Sequence, residues 1–430
     1  MKKIFLISIG LISAIVVVMF FAQICPPKGP WPMPPWCSSE YKIYEYLVDT
    51  KPTRISQIKA INMYDTWGRN YNMGMVENTQ ANIESSFDRI KSLGAEEVYV
   101  HDFDRAVYGD EQDFSSTDYT IEDDVFSNDM RDESINENDL KKLVTAAHER
   151  GLKLGIKRNL TFIDMKNLII SGIRGTISAD VSKNFSEFNE NHSEEWINDY
   201  FQKWENRLVE KAKLYSRAGV DIMSISPTFQ DPQFFGHEEL ADKLWSDLID
   251  EVKNNFSGKI LAEINIYGLV DGNNGKENWN KYDYYKKADI TEARIYKILE
   301  KYQSPDKNQI KQDMSKMVSD LDRKAQKLGI KLSIFFAPSS YKNGLYNNPV
   351  EFLDINNQEI KNIEKDYESQ SEAYNYLFES LNKTNNISRI NAANFTWDDA
   401  LDPEVRPRIS ISASFRNKPA EQIIKAWYNK

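Results

Sequence analysis

Four amphipathic stretches of this chain stop on a glycine just before a short apolar run, at Gly94, Gly151, Gly219 and Gly329. Glycine reaches the left-handed conformation that ends a helix without steric cost, so each marks a helix-to-strand junction. The apolar runs are KAINMY (59–64), EEVYVHDFD (96–104), LKLGIKRNL (152–160), VDIMSIS (220–226), KILAEINIY (259–267), KKADITEARIY (286–296), IKLSIFFAPS (330–339) and RINAANFTW (389–397). Helical patterns separate most of them, and KPAEQIIKAWY (418–428) closes the chain. Parallel strands need a crossover between neighbours, so eight such units predict an α/β fold, a (β/α)8 TIM barrel over residues 53–430. The rival is a doubly wound open sheet. The first strand is followed by no Gly-rich phosphate turn, which weakens its dinucleotide-binding version.

Residues 4–22 form an uncharged apolar run behind Lys2 and Lys3. As a helix it would span about 28 Å, close to a hydrocarbon core. Residues 1–22 therefore predict a signal anchor, a single-pass transmembrane helix with the barrel outside the cell membrane. A cleaved, secreted form ranks second because FFAQIC offers no small-residue cleavage site. A lipoprotein ranks third, since Ile24 precedes Cys25. Residues 23–52 read as a linker, with six prolines between Cys25 and Cys37. That segment is stiff and extended, and the two cysteines either close a loop or remain thiols. Sequons such as Asn159 and Asn394 carry weight only if the host glycosylates.

Net charge is −11 overall and −14 once the first 37 residues, with Lys2, Lys3, Lys28 and no acid, are set aside. That excludes nucleic acid as a bulk-charge partner and disfavours docking on anionic lipid. Aromatic content of 12% excludes an acidic disordered chain. Residues 104–139 hold 13 acids against Arg105 and Arg131. They lack the calcium-loop pattern and read as a solvated acidic loop.

Barrel enzymes work at the C-terminal ends of their strands. Those ends supply Tyr64, Asp65, Trp67 and Arg69, then Asp102 and Asp104, then Lys157, Arg158 and Asn159. Later strands add Glu263 and Tyr267, Glu292 and Arg294, and finally Trp397 and Asp398. Aromatic rings beside carboxylates and amides suit sugars, whose ring faces stack while their hydroxyls take polar partners. Tyr64, Trp67, Asp102, Asp104, Lys157, Asn159, Tyr267, Arg294, Trp397 and Asp398 are thus candidate carbohydrate contacts. Glu263 and Glu292, on neighbouring strands, are the candidate catalytic pair. Each also has a structural reading: Glu263 a buried acid satisfied by Lys157 or Arg158, and Glu292 an ion pair with Arg294. Arg69, Arg105, Lys157, Arg158 and Arg294 suggest recognition of acidic sugar carboxylates. His101, His148, His192 and His237 show no metal-ligand spacing, and no metal or cofactor is expected.

AAHERGLKLGIK (146–157), NFTWDD (394–399) and FRNKPAEQIIKAWY (415–428) resemble glycoside hydrolase family 113 and its retaining (β/α)8 relatives, loosely from about residue 59 to 430. The resemblance implies a sugar-stacking role for Trp397. It also implies catalytic glutamates at the ends of strands 4 and 7. Here those segments read ISPTF (225–229), with Thr228, and FFAPSSY (335–341), with Pro338. Neither residue can shuttle a proton or accept a glycosyl group. Two functions remain: a membrane-tethered, glycoside hydrolase-like protein with relocated carboxylates, or an inactive glycan-binding or scaffold barrel derived from one.

Overall fold

The computed structural model describes residues 50–63, 76–108, 118–123, 137–164, 192–226, 234–267, 282–298, 306–347, 359–360, 362–396 and 410–430. All of these belong to one compact unit, 46–430. Its elements are β1 (Ile58–Met63), α1 (Val76–Ser92), β2 (Glu97–Tyr108), β3 (Tyr119–Asp123), α2 (Glu137–His148), β4 (Lys153–Asp164), α3 (Glu194–Ala218) and β5 (Ile222–Ser224). They continue with α4 (Glu238–Asn255), β6 (Lys259–Tyr267), β7 (Ile290–Ile295), α5 (Lys307–Leu328), β8 (Leu332–Phe336), α6 (Tyr367–Leu381), β9 (Ile387–Phe395) and α7 (Pro419–Tyr428).

Every strand except β3 pairs in parallel with two neighbours, and β9 returns to β1. The result is a closed eight-stranded barrel, as the repeating helix–glycine–strand pattern requires. Short side chains start the helices: Ser193 accepts from the Trp196 amide, Asp306 from Gln309 and Asp366 from Ser369. Each satisfies an N–H that the first helical turn leaves unpaired. At the other ends, Gly94, Gly151, Gly219 and Gly329 all have positive φ.

Gly94 carries the tightest constraint of these. Its φ is 95°, and a Cβ there would lie 2.8 Å from the carbonyl carbon and oxygen of Tyr428. The end of α1 therefore packs backbone to backbone against the end of α7. Asn429 Nδ2 reinforces the junction by donating to the Leu93 carbonyl at 3.0 Å. Gly94→Ala is expected to lower stability by more than about 1 kcal/mol, because strain and clash add. A thermal melt unchanged from wild type would refute this.

Two expectations are corrected. Residues 104–139 are not wholly a solvated loop: β2 runs on to Tyr108 and β3 pairs antiparallel with it, Asp104 opposite Asp123 and Tyr108 opposite Tyr119. Aromatic packing explains the order. Tyr119 is buried, 5.1 Å from Tyr108, 5.8 Å from Phe162 and 6.2 Å from Trp196 between ring centroids. The second correction concerns the membrane. Among the described residues no helix is long and apolar enough to cross one. No described helix supports the transmembrane anchor, the single-pass cell-membrane localisation or the membrane as a partner, and these are not carried further. Residues 1–22 themselves, and residues 23–49 of the linker with Cys25 and Cys37, lie outside the described residues.

Candidate functional site

Alternate residues of each strand point into the barrel, and the interior is layered. A lower apolar layer joins Ala60, Tyr99, Ile222, Leu261 and Ile290. Gly155 makes room for it, since a Cβ there would sit 2.4 Å from the Tyr99 ring. Below, Glu97 receives Arg389 Nη2 at 3.0 Å and the Tyr99 hydroxyl at 2.9 Å.

Two residues further along the strands the interior becomes ionic. Lys157 Nζ donates to Glu263 Oε1 at 2.7 Å and also to Glu292 Oε1. All three side chains are completely buried. Glu263 lies opposite Glu292 in the β6–β7 register. Two hydrogen bonds to one nitrogen put the two Oε1 atoms no more than about 6 Å apart. The remaining oxygens are also occupied. Ser224 Oγ donates to Glu263 Oε2 at 3.1 Å. Ser333 Oγ and Asn391 Nδ2 donate to Glu292 Oε2 at 2.9 and 3.1 Å. Arg294 Nη1 lies 4.0 Å from Glu263 Oε2. Glu292 is thus held by Lys157, Ser333 and Asn391, while Arg294 faces Glu263. Burial pushes the Glu263 carboxyl up, but Lys157 and Arg294 outweigh it and hold the group below its ordinary value. The Lys157 ammonium also sits 4.1 Å from the centroid of the Phe335 ring.

His101 lines the same layer. Burial, reinforced by Lys157, pushes its imidazole down to about 3. It is neutral at pH 7, when an unfolded histidine begins to protonate near 6.5. Between those values the unfolded chain binds the extra proton, so stability falls as pH drops from about 6.5 towards 3. The expected loss between pH 7 and 5 is about 2 kcal/mol from this residue. Urea unfolding at the two pH values should show it, and a His101→Asn protein should lack that part of the slope.

Asp102 and Asp104 face the other way, out of the barrel and towards α3. Arg158 donates to both and to the Tyr215 hydroxyl. Arg207 Nε reaches Asp104 Oδ1 at 2.9 Å, and Lys211 Nζ lies 3.3 Å from Asp102 Oδ2. Burial raises the Asp102 carboxyl, yet Arg158, Lys211 and the Tyr215 hydroxyl more than reverse that and keep it far below the carboxylate range.

Of the sequence candidates, Lys157, Asn159, Glu263, Glu292 and Arg294 therefore share the barrel interior, while Asp102 and Asp104 join a separate network. Tyr64, Trp67, Trp397, Asp398, Thr228, Arg69 and the Tyr267 side chain lie outside what is described. Past β8, the Pro338 carbonyl accepts from Gln370 Nε2 at 2.8 Å. Lys418 Nζ donates to Ser340 Oγ at 2.8 Å and to the Ser412 carbonyl at 3.0 Å. No carboxylate stands among residues 332–341. Sequence reasoning missed Ser224, Ser333 and Asn391. Each lies on the inward face of its strand, which the pattern of a parallel barrel does not mark in the sequence. Among the described residues no group of His, Cys, Asp or Glu could hold a metal ion.

Neither a protein-family profile nor a curated protein matches the chain. Solved structures do match. A GH113 β-1,4-mannanase is 14% identical, with 88% of this chain and 99% of that one covered at a TM-score of 0.56. A GH113 β-mannanase from Alicyclobacillus acidocaldarius is 11% identical over 87% and 97% at 0.51. A glycoside hydrolase family 5 mannosidase from Rhizomucor miehei, in complex with mannosyl-fructose, is 11% identical over 88% and 93% at 0.52. The fold is thus a glycoside-hydrolase-like (β/α)8 barrel; identities this low speak for fold alone.

Proposed function

We propose that this barrel binds an uncharged oligosaccharide and does not cleave it with paired carboxylates. The observation that carries the proposal is the Lys157 clasp on Glu263 and Glu292, all three fully buried. A separation of no more than about 6 Å matches the spacing of a retaining pair. Retaining chemistry, however, needs one carboxylate free to attack carbon and the other to carry a proton. Here each is an acceptor for the same ammonium, and the further donors from Ser224, Ser333 and Asn391 occupy the outer oxygens.

The choice of ligand follows from charge. Lys157 and Arg294 are balanced by Glu263 and Glu292 inside the barrel. Arg158 belongs to the outward network, and Arg105 Nε pairs with Glu122 at 2.6 Å. These cations have their counter-ions, so the reading moves from acidic to uncharged sugars. Likeness to mannan-active enzymes supports β-1,4-linked mannose as the first ligand to try, and kinship with family 113 is part of this reading.

Calorimetric titration should show manno-oligosaccharides binding and polygalacturonate failing to bind. A reducing-end assay should stay at background. Reducing ends released by the wild-type protein, and lost in both Glu263→Gln and Glu292→Gln, would overturn the non-hydrolytic half and restore those glutamates as a catalytic pair.

A further inference from the structure

The two ends of the Asn159 amide are in different situations. Nδ2 donates to His101 Nδ1 at 2.9 Å and lies 3.4 Å from the Asp102 carbonyl, which can only accept. That fixes which end is nitrogen. Oδ1 is buried and has no hydrogen-bond partner among the described residues. The rest of the chain of contacts locks this orientation. With Nδ1 accepting, the neutral imidazole carries its proton on Nε2, 3.1 Å from Asn62 Oδ1. Asn62 Nδ2 then donates to Asn394 Oδ1 at 3.2 Å. Each link from Asn159 through His101 and Asn62 to Asn394 has a single allowed polarity.

Asn159 stands two residues beyond Lys157 on β4, on the same inward face and nearer the C-terminal end where barrel ligands enter. Buried acceptors are nearly always satisfied, so an orphan held in a fixed direction takes its donor from a water or from a ligand hydroxyl that replaces that water. We infer that Asn159 Oδ1 is the specificity-determining acceptor of this barrel, taking the proton of one hydroxyl on the innermost sugar, with His101 as the residue that positions it. The inference rests on the glycan-binding reading above. It also explains discrimination: a sugar hydroxyl offers a proton to Oδ1, whereas an ionised sugar carboxylate offers only lone pairs. A protonated imidazole would present N–H to the amide and force it to turn. The low affinity of buried His101 for protons keeps the acceptor in place.

The test is a set of calorimetric affinities for mannotetraose and its monodeoxy derivatives. In the wild-type protein, removing one particular hydroxyl should weaken binding about tenfold. In Asn159→Ala that penalty should vanish while the penalties at other hydroxyls persist. A merely structural role would weaken all ligands alike. Asn159→Ser, whose oxygen is too short to reach, gives the same readout if the alanine variant does not fold. His101→Leu should blur the penalty by freeing the amide to turn. His101→Asn, which can keep an acceptor near the place of Nδ1, should retain it. Mannotetraose binding with the same deoxy penalties in wild type and Asn159→Ala would overturn the inference and leave the glycan reading standing. Absence of mannotetraose binding to the wild-type protein would instead overturn that reading and the inference with it.

Discussion

Lys157→Met is expected to cost about 3–5 kcal/mol of stability at pH 7, the usual result of stranding buried charges by removing their partner. Methionine fills much the same volume against the Phe335 ring, so the loss is electrostatic rather than a cavity effect. Two carboxylates with no exposure would lose the donor they share. Glu263, pushed up by burial and held down chiefly by Lys157, then loses that counter-charge, and its folded-state affinity for protons rises above the unfolded value near 4.3. Stability tied to a raised pKa is present below the unfolded value and lost as pH rises through the folded one. The variant's deficit should therefore shrink on acidification from pH 7 to pH 4, against the trend His101 imposes on the wild type. Adding Glu292→Gln to Lys157→Met should recover most of the loss, because the double variant leaves the buried Glu263 balanced by Arg294. Urea unfolding at pH 7 and 4 measures all of this. A deficit below about 1 kcal/mol at pH 7 would mean that the clasp is energetically unimportant.

Arg158→Leu should be the second large effect, about 3 kcal/mol. Arg207 and Lys211 remain beside Asp104 and Asp102, so the two carboxylates keep some compensation. Its diagnostic feature is acid sensitivity. In the wild type Asp102 is held far below its ordinary range, first against burial and then by Arg158. The stability it contributes is complete above the unfolded value near 3.9 and is lost only when pH falls through the depressed folded value. Without Arg158 the folded value rises, and the acid-unfolding midpoint should move up towards pH 4. Far-ultraviolet circular dichroism against pH would detect it, and an unmoved midpoint would show that Arg207 and Lys211 suffice.

The barrel was legible because its signals are local. Glycines at 94, 151, 219 and 329 end helices through their own backbone freedom, and short apolar runs follow each. Neighbouring Glu263 and Glu292 could also be paired from strand order. The β2–β3 hairpin was not legible, because acids dominate its sequence while the stabilising contacts of Tyr119 come from Phe162 and Trp196, distant in the chain. Nor could the site be drawn in full. Lys157 read either as a sugar contact or as the partner of a buried Glu263, and its hold on Glu292 as well was not foreseen.

Sequence alone determined the repeat of strand and helix, the acidic balance of the chain, and the period-2 fact that Asp102 and Asp104 share a face. It could not say which face. In a half-exposed sheet the apolar side marks the core, but a parallel barrel buries both sides of every strand, and the pattern carries no such mark. His101 and Asp102 are neighbours in the chain, as are Lys157 and Arg158. Only closure of the barrel sent His101 and Lys157 inward to Glu263, Glu292 and Asn159, and Asp102 and Arg158 outward to α3. That division separates a neutral, clasped interior from a structural ion network.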